Sequence, residues 1–170
     1  GFYEVEIQGT FARKVCKFGL LYSEDVANDP NLVAPTDGWR LPTEADVDDL
    51  HSFTTRVDNE YTDGGKLKST SSNYWDAPNT GAENLFGFDV RGAGVFALWS
   101  FIQKKIDSSF WTSSEKNALR FKADGGISLI GQTSHSDNLY SIRFCRDATP
   151  TELSYPNGEV VDDYIDGDNN

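Results

Sequence analysis

The chain has 170 residues, a formal net charge of −12 and 13% aromatic residues. This length is typical of one domain, alone or with an appendage, and allows a core that needs no metal or disulfide. An acidic surface disfavours nucleic acid and bare anionic membranes, because phosphate contacts need basic side chains. Without a long apolar run or a signal-peptide pattern at the N-terminus, we expect no membrane insertion.

The first part of the chain has strand and loop patterns. Residues 2–7 alternate, with Tyr3, Val5 and Ile7 on one side, which predicts a strand. Residues 11–22 have room for one or two further strands. Residues 24–37 are rich in Asp, Asn and Pro, which is typical of a loop.

A helix is predicted to begin at Thr43. Pro42 suits the approach to a helix, and Thr43 can cap its first turn. Asp46 stands where a capping box has its acidic partner. The helix gains an apolar face from residues at roughly helical spacing: Val47, Leu50, Phe53 and Val57.

The remainder predicts loops followed by an antiparallel sheet. Residues 66–87 have little periodicity and predict a long ordered loop, and residues 88–99 have room for short strands. Four strands are predicted at residues 109–113, 118–123, 127–131 and 140–146, with a hairpin turn at Gly125-Gly126. The fold class is therefore α+β, with one or two helices, an antiparallel sheet and long ordered loops.

Several motifs follow one another along the chain: GWRLPTEA at 38–45, GKLKS at 65–69, Trp75, Asn84 with Gly87 and Phe88, FWTSSE at 110–115 and SIRFCRD at 141–147. In this order they resemble the Fibrobacter succinogenes major paralogous domain family. The resemblance implies a C-type-lectin-like fold on a bacterial surface protein or a phage protein. It covers a domain at residues 1–147 and leaves an acidic tail at 148–170.

The helix-start motif also resembles that of formylglycine-generating enzymes, which share the lectin-like architecture. Those enzymes need a cysteine pair or a histidine-based metal site. This chain has only Cys16, Cys145, His51 and His135, at no ligand spacing, so we expect no catalysis. The two cysteines either form one disulfide or remain thiols.

The tryptophans and the loop at 76–84 each allow a structural interpretation and an interpretation as a binding or interface site. Trp39, Trp75 and Trp111 are expected in the core, with sugar stacking as the alternative. Trp99 lies in the apolar run 96–102, which predicts core or, if exposed, an interface. The loop at 76–84 is similar to the calcium and sugar loop of C-type lectins, but the family pattern already explains it as scaffold. We expect no cofactor, with calcium as the alternative.

Two late polar segments are the predicted recognition surface, because loops on a rigid sheet often carry binding residues. The candidate ligand-binding residues are Glu115, Lys116, Asn117, Ser134, His135, Asp137, Asn138 and Tyr140. The alternative is a pair of solvated hairpin ends. In retroelement-diversified lectin-like proteins, which share the implied fold, this C-terminal region is the one that varies.

The sequence therefore predicts a non-enzymatic recognition module, extracellular on a bacterial cell surface or a virion, that binds a glycan or protein receptor. The alternative is a structural decoration or assembly module of a virion or surface fibre. A homo-oligomer would then use residues 96–102 and the acidic end at 159–170, whose apolar members are Val160, Val161, Tyr164 and Ile165.

Overall fold

A computed structural model describes residues 5–6, 15–29, 38–58, 63–114, 117–124, 127–130 and 137–150. The helices are α1 (Glu24–Asn28) and α2 (Glu44–Asp58), followed by a 3₁₀-helix at Asp63–Leu67. The strands are β1 (Val5–Glu6), β2 (Val15–Cys16), β3 (Val95–Ala97), β4 (Ser100–Ile102), β5 (Asp107–Trp111), β6 (Ala118–Lys122) and β7 (Ile127–Ile130). All named strand pairs are antiparallel, so the α+β class is confirmed.

Helix α2 begins with the capping box that the sequence predicts. The Thr43 hydroxyl accepts from the Asp46 N–H at 3.2 Å, and the Asp46 carboxylate accepts from the Thr43 N–H at 2.7 Å. Arg40 donates to both oxygens of the same carboxylate. The first turn is therefore fixed both by its cap and by the preceding segment.

Helix α1 falls within residues 24–37, where the sequence predicted only a loop, so that prediction was wrong for its first five residues. Ser23 is the N-cap, and its hydroxyl accepts from the Val26 N–H at 3.4 Å. Glu24 and Asp25 occupy the first turn, where carboxylates are favoured, and Ala27 is buried. Residues 30–37 lie outside the described part of the chain.

Strands β5, β6 and β7 form the central sheet, in that order. Trp111 pairs with Ala118, and Phe121 pairs with Ile127. The predicted strands end within two residues of the observed ones, because alternation and turn residues mark them clearly. The hairpin between β6 and β7 is confirmed by its pairing, while Gly125 and Gly126 lie outside the described residues.

Two apolar clusters pack on this sheet. One joins α2 and the 3₁₀-helix to β6 through Val47, Leu67, Val90, Trp75 and Phe121. The other contains Trp111, Tyr140, Leu41, Ala27, Val95 and Ala118. Both tryptophans are 1% exposed, which confirms their predicted core positions. Each also donates its indole N–H to a backbone carbonyl, Trp75 to Val90 and Trp111 to Tyr22, both at 2.8 Å.

Trp39 does not share this position, so its predicted core placement was wrong. Its side chain is 39% exposed, and the Arg146 guanidinium lies 5.2 Å from the ring centroid. It precedes Arg40, whose backbone pairs with Cys145. The Trp39 ring therefore lies at the protein surface, outside both apolar clusters, with the Arg146 guanidinium over its face.

Residues 140–146 do not form the continuous strand predicted from their alternation. Tyr140 pairs with Tyr22, Ser141 with Phe110, and Cys145 with Arg40, each as an isolated bridge. Because the partner changes along the segment, no ladder of hydrogen bonds builds up. The segment instead ties three separate parts of the chain together.

The β3–β4 hairpin presents its two turn residues, Leu98 and Trp99, to solvent. They are 76% and 81% exposed, and both have positive φ, as a type I′ turn requires. Trp99 is therefore a surface residue, whereas Ala97 in the same apolar run packs against the second cluster. Among the described residues, no helix has both the length and the apolar character needed to cross a membrane.

Candidate ligand-binding site

A cavity of about 520 Å³ lies between three segments that are distant in sequence. One wall comes from residues 17–20, the second from residues 87–91, and the third from residues 141–143, with Tyr22 and Phe110 completing the lining. Among the described residues that line it, three are cations, Lys17, Arg91 and Arg143, and one is an anion, Asp89. This described part of the lining is thus basic in a chain whose net charge is −12.

Arg143 lies between the cavity and the core. Its guanidinium stacks on the Phe88 ring, 4.1 Å from the centroid, and donates to the Phe88 carbonyl. Burial lowers the pKa of this guanidinium, while the Asp89 carboxylate opposes that effect and Arg91 adds to it. Arg143 is therefore a cation held in a partly desolvated place, close to a second cation.

Arg91 is fixed more tightly. It lies 4.3 Å from the centroid of the Tyr74 ring, and it donates to the Asp89 carboxylate at 3.0 Å and to the Lys17 carbonyl at 3.2 Å. Asp89 is held in turn, because its N–H donates to the Asn84 side-chain oxygen at 2.7 Å. The positions of Arg91 and Asp89 are therefore set before any ligand arrives.

Two lining residues, Lys17 and Phe18, also take part in contacts between cations and aromatic rings. The Lys104 amino group lies 4.9 Å from the centroid of Phe18, and Phe18 meets Tyr74 edge to face at 5.7 Å. The Lys17 amino group lies 5.8 Å from the Tyr74 centroid. These contacts hold further positive charge beside Phe18 and Tyr74.

A second, apolar cavity of about 190 Å³ lies between α2 and β5–β6 and shares Arg143 with the first. Cys145 lines it as a free thiol and accepts a hydrogen bond from Arg40 at 3.3 Å. Burial, aided by the negative charge of Asp46, raises the pKa of this thiol, and Arg40 opposes the rise. A raised pKa disfavours the thiolate, so this cysteine is poorly suited to act as a nucleophile.

The sequence model of the Fibrobacter succinogenes major domain matches residues 6–146, which is most of the chain. The chain belongs to this family. Neither the curated proteins nor the solved structures include a match to it.

The family domain places the predicted recognition residues in different environments. Glu115, Lys116, Ser134 and His135 lie outside the described residues, so their roles stay predictions. Asp137 is exposed. Asn117 donates from its side chain to the Glu44 carboxylate, and its backbone carbonyl accepts from Thr112, which fixes the turn before β6 against α2.

Asn138 and Tyr140 are interior residues, at 8% and 5% exposure. Asn138 donates to the Tyr140 hydroxyl at 3.1 Å, and the Tyr140 ring packs 4.5 Å from that of Trp111. Burial removes both side chains from the predicted recognition surface, because the segment that carries them bridges to Tyr22 and Phe96. They hold the segment in place.

The loop at 76–84 uses its polar groups to hold the scaffold. Asn79 donates to the Ser69 carbonyl at 3.0 Å, and the Asn84 side chain accepts from Asp89. Asp76 lies 3.8 Å from the Lys105 amino group. Within the described part of the chain, no group of three or more His, Cys, Asp and Glu side chains could hold a metal ion.

The two arginines of the cavity were missed by sequence reasoning. Arg143 lies in an alternating segment that is typical of an ordinary strand, and Arg91 lies in the VRGAG stretch at 90–94, which is broken by two glycines. Lys17 carries no local signal, because it joins the site only through the fold.

Proposed function

We propose that this family domain is a non-enzymatic recognition module with a C-type-lectin-like fold, displayed on a bacterial cell surface or a phage particle. It binds a glycan or protein receptor through the cavity between residues 17–20, 87–91 and 141–143. The family resemblance supports the location and the fold. The two cysteines and two histidines of the sequence stand at no ligand spacing, which supports the lack of catalysis.

The observation that carries the proposal is the prearranged basic cavity. Its volume of about 520 Å³ lies in the usual range for ligand sites, roughly 300–1,000 Å³. Arg91 and Asp89 are fixed by several contacts, so little conformational entropy is lost when a ligand binds. Rigid walls with few charged groups are the arrangement that gives orientation and specificity.

Binding of the fluorescently labelled chain to bacterial cells tests the proposal. We expect saturable binding that Arg91→Gln with Arg143→Gln reduces about tenfold or more. Replacing Glu115, Asn117, His135 and Asp137 together by alanine separates the predicted late-loop surface from the cavity. Loss of binding in this variant alone would place recognition on the late loops, and no saturable binding by the wild-type chain would contradict the module itself.

An assembly module is the second candidate, and the exposed hairpin turn favours it. Leu98 and Trp99 are adjacent at this turn and are 76% and 81% exposed, so two large apolar side chains lie side by side in solvent. Light scattering tests this candidate with the wild-type chain and Leu98→Ser with Trp99→Ser. A concentration-dependent oligomer that dissociates in the variant would support assembly, and a monomer in both would rule it out.

A further inference from the structure

Among the described residues that line the cavity, the cations are Lys17, Arg91 and Arg143, and the anion is Asp89. Asp89 is paired with Arg91 at 3.0 Å. Arg143 has no such carboxylate partner in the described part of the chain, so its guanidinium is the group that favours an anionic ligand.

Arg143 is the group best placed to meet an anion. A guanidinium has five N–H donors, and among the described residues Arg143 uses one hydrogen bond, to the Phe88 carbonyl. No described carboxylate lies within ion-pair distance of it, although burial disfavours its charge. An incoming carboxylate can accept two parallel hydrogen bonds from the guanidinium fork and compensate that cost.

The backbone groups of two lining residues on opposite walls are already paired. The Val90 N–H donates to Leu67, and its carbonyl accepts from Ser69 and Trp75. The Ser141 N–H donates to Ser109, and its carbonyl accepts from Trp111. Because a peptide that adds to a sheet needs free backbone groups, Val90 and Ser141 cannot pair with one.

A compact, polyhydroxylated acid fits these groups best. The Arg143 fork suits its carboxylate, and Asp89 offers acceptor oxygens to its hydroxyl groups. We propose that the cavity binds the carboxylate-bearing sugar of an acidic glycan, such as a uronic acid, with Arg143 as the principal contact. This inference rests on the proposed function and names the ligand class of the same site.

A glycan array tests the inference with matched ligands. It carries uronate oligosaccharides, their carboxyl-reduced counterparts, in which each carboxylate has become CH₂OH, and sulfated neutral oligosaccharides. We expect the wild-type chain to bind the uronates and to lose about tenfold to a hundredfold in affinity on carboxyl reduction. Raising the salt concentration should weaken binding to the uronates, because the contact is ionic.

Three variants assign the contact. Arg143→Gln should lower the affinity for uronates about tenfold or more. Arg143→Lys should lower it less, because lysine keeps the positive charge but lacks the planar guanidinium fork. Lys122→Gln should bind uronates like the wild type. Lys122 is an exposed cation that does not line the cavity, so it controls for net charge. Thermal unfolding of each variant checks that the fold is retained.

The outcomes separate this inference from the proposed function. Equal binding to uronates and reduced sugars, or preference for sulfated sugars, would overturn the carboxylate assignment and leave a glycan module. Binding to cells with no signal for any glycan on the array would overturn the sugar assignment and favour a protein receptor. Unaltered uronate binding by Arg143→Gln would remove Arg143 from the site.

Discussion

Two lysines at residues 65–69 direct their amino groups into the protein. Lys66 donates to the Thr54 carbonyl at 3.0 Å, and Lys68 donates to the Lys122 carbonyl at 2.8 Å. Lys68 is 0% exposed and lies 5.2 Å from the Trp75 ring centroid. These contacts tie the 3₁₀-helix to the end of α2 and to the end of β6. Sequence reasoning could not find them, because the acceptors of Lys68 lie more than fifty residues away.

Lys68 gives the stability of the domain a specific pH dependence. Burial lowers its pKa to about 8, with Asp124 opposing the shift. Between that value and the unfolded pKa, near 10.5, the unfolded chain binds more protons, so stability rises with pH. Relative to Lys68→Met, the wild type should gain about 2 kcal/mol between pH 7 and pH 10. Urea unfolding of both chains measures the difference, and a difference that stays flat with pH would contradict the account.

Asp46 acts in the opposite pH range. Hydrogen bonds from Arg40, followed by those from Thr43, hold the pKa of its carboxyl well below the usual value. The charged carboxylate adds to the free energy of unfolding, and this stabilisation is complete above the pKa of the unfolded chain, near 4. It is lost as the pH falls through the pKa of the folded protein. Asp46→Asn should destabilise the chain by about 1–2 kcal/mol at pH 7. Asp48→Asn, an exposed change in the same helix, is the control.

Thermal unfolding of the two variants at pH 7 and pH 3 checks this prediction. The deficit of Asp46→Asn should shrink at the lower pH. If Asp46→Asn and Asp48→Asn lose the same stability at pH 7, the charge near the helix N-terminus would account for the whole effect, and the contacts with Arg40 and Thr43 would add nothing. The cap was predictable from sequence because Thr43 and Asp46 are three residues apart, whereas the contribution of Arg40 requires the observed side-chain geometry.

Gly92 shows how an element is positioned by a close backbone approach. A Cβ at this residue would lie 2.7 Å from the Tyr74 carbonyl oxygen and 2.8 Å from the Lys105 Cα, both backbone atoms. Gly92→Ala should therefore cost more than about 2 kcal/mol. Gly38→Ala is the matched control, because its Cβ meets nothing within 4 Å and only its positive φ costs energy, about 1–2 kcal/mol. Chemical denaturation of both variants measures the two losses of stability. A smaller loss for Gly92→Ala than for Gly38→Ala would contradict the prediction.

The β3–β4 hairpin stores backbone strain at its turn. Leu98 and Trp99 have φ of 52° and 61°, a region that costs such residues about 1–2 kcal/mol each. Asn-Gly suits this turn, so Leu98→Asn with Trp99→Gly should raise the unfolding midpoint. Calorimetry measures the change. A lower midpoint would show that the exposed side chains contribute packing that outweighs the strain.

Periodic elements were the predictable part of the fold. The strands of the central sheet and the start of α2 follow from alternation and capping, which are local. The last predicted strand was wrong because Tyr140, Ser141 and Cys145 pair with three different partners, and alternation says nothing about partners. Trp39 was misplaced for a similar reason, since an aromatic residue beside apolar neighbours does not reveal which face the fold covers.

At the scale of the whole molecule, the candidate site depends on segments that only the fold brings together. The late loops were predicted from their polar composition, but the fold buries Asn138 and Tyr140. The cavity unites Lys17, Arg91 and Arg143 across more than 120 residues, so composition could not reveal its local charge. The family match gives the bounds of the domain, residues 6–146. The cations that line the cavity are the basis for the proposed anionic ligand.

The most direct test is an NMR titration of the ¹⁵N-labelled chain with trigalacturonate and with its carboxyl-reduced counterpart. The account predicts shift changes that cluster at residues 17–20, 87–91 and 141–143 with the acidic sugar, and none with the neutral sugar at the same concentration. The side-chain Nε–H signal of Arg143 should move with them. Changes confined to Asn117, Asp137 or the Leu98–Trp99 turn, or equal changes with both sugars, would contradict it.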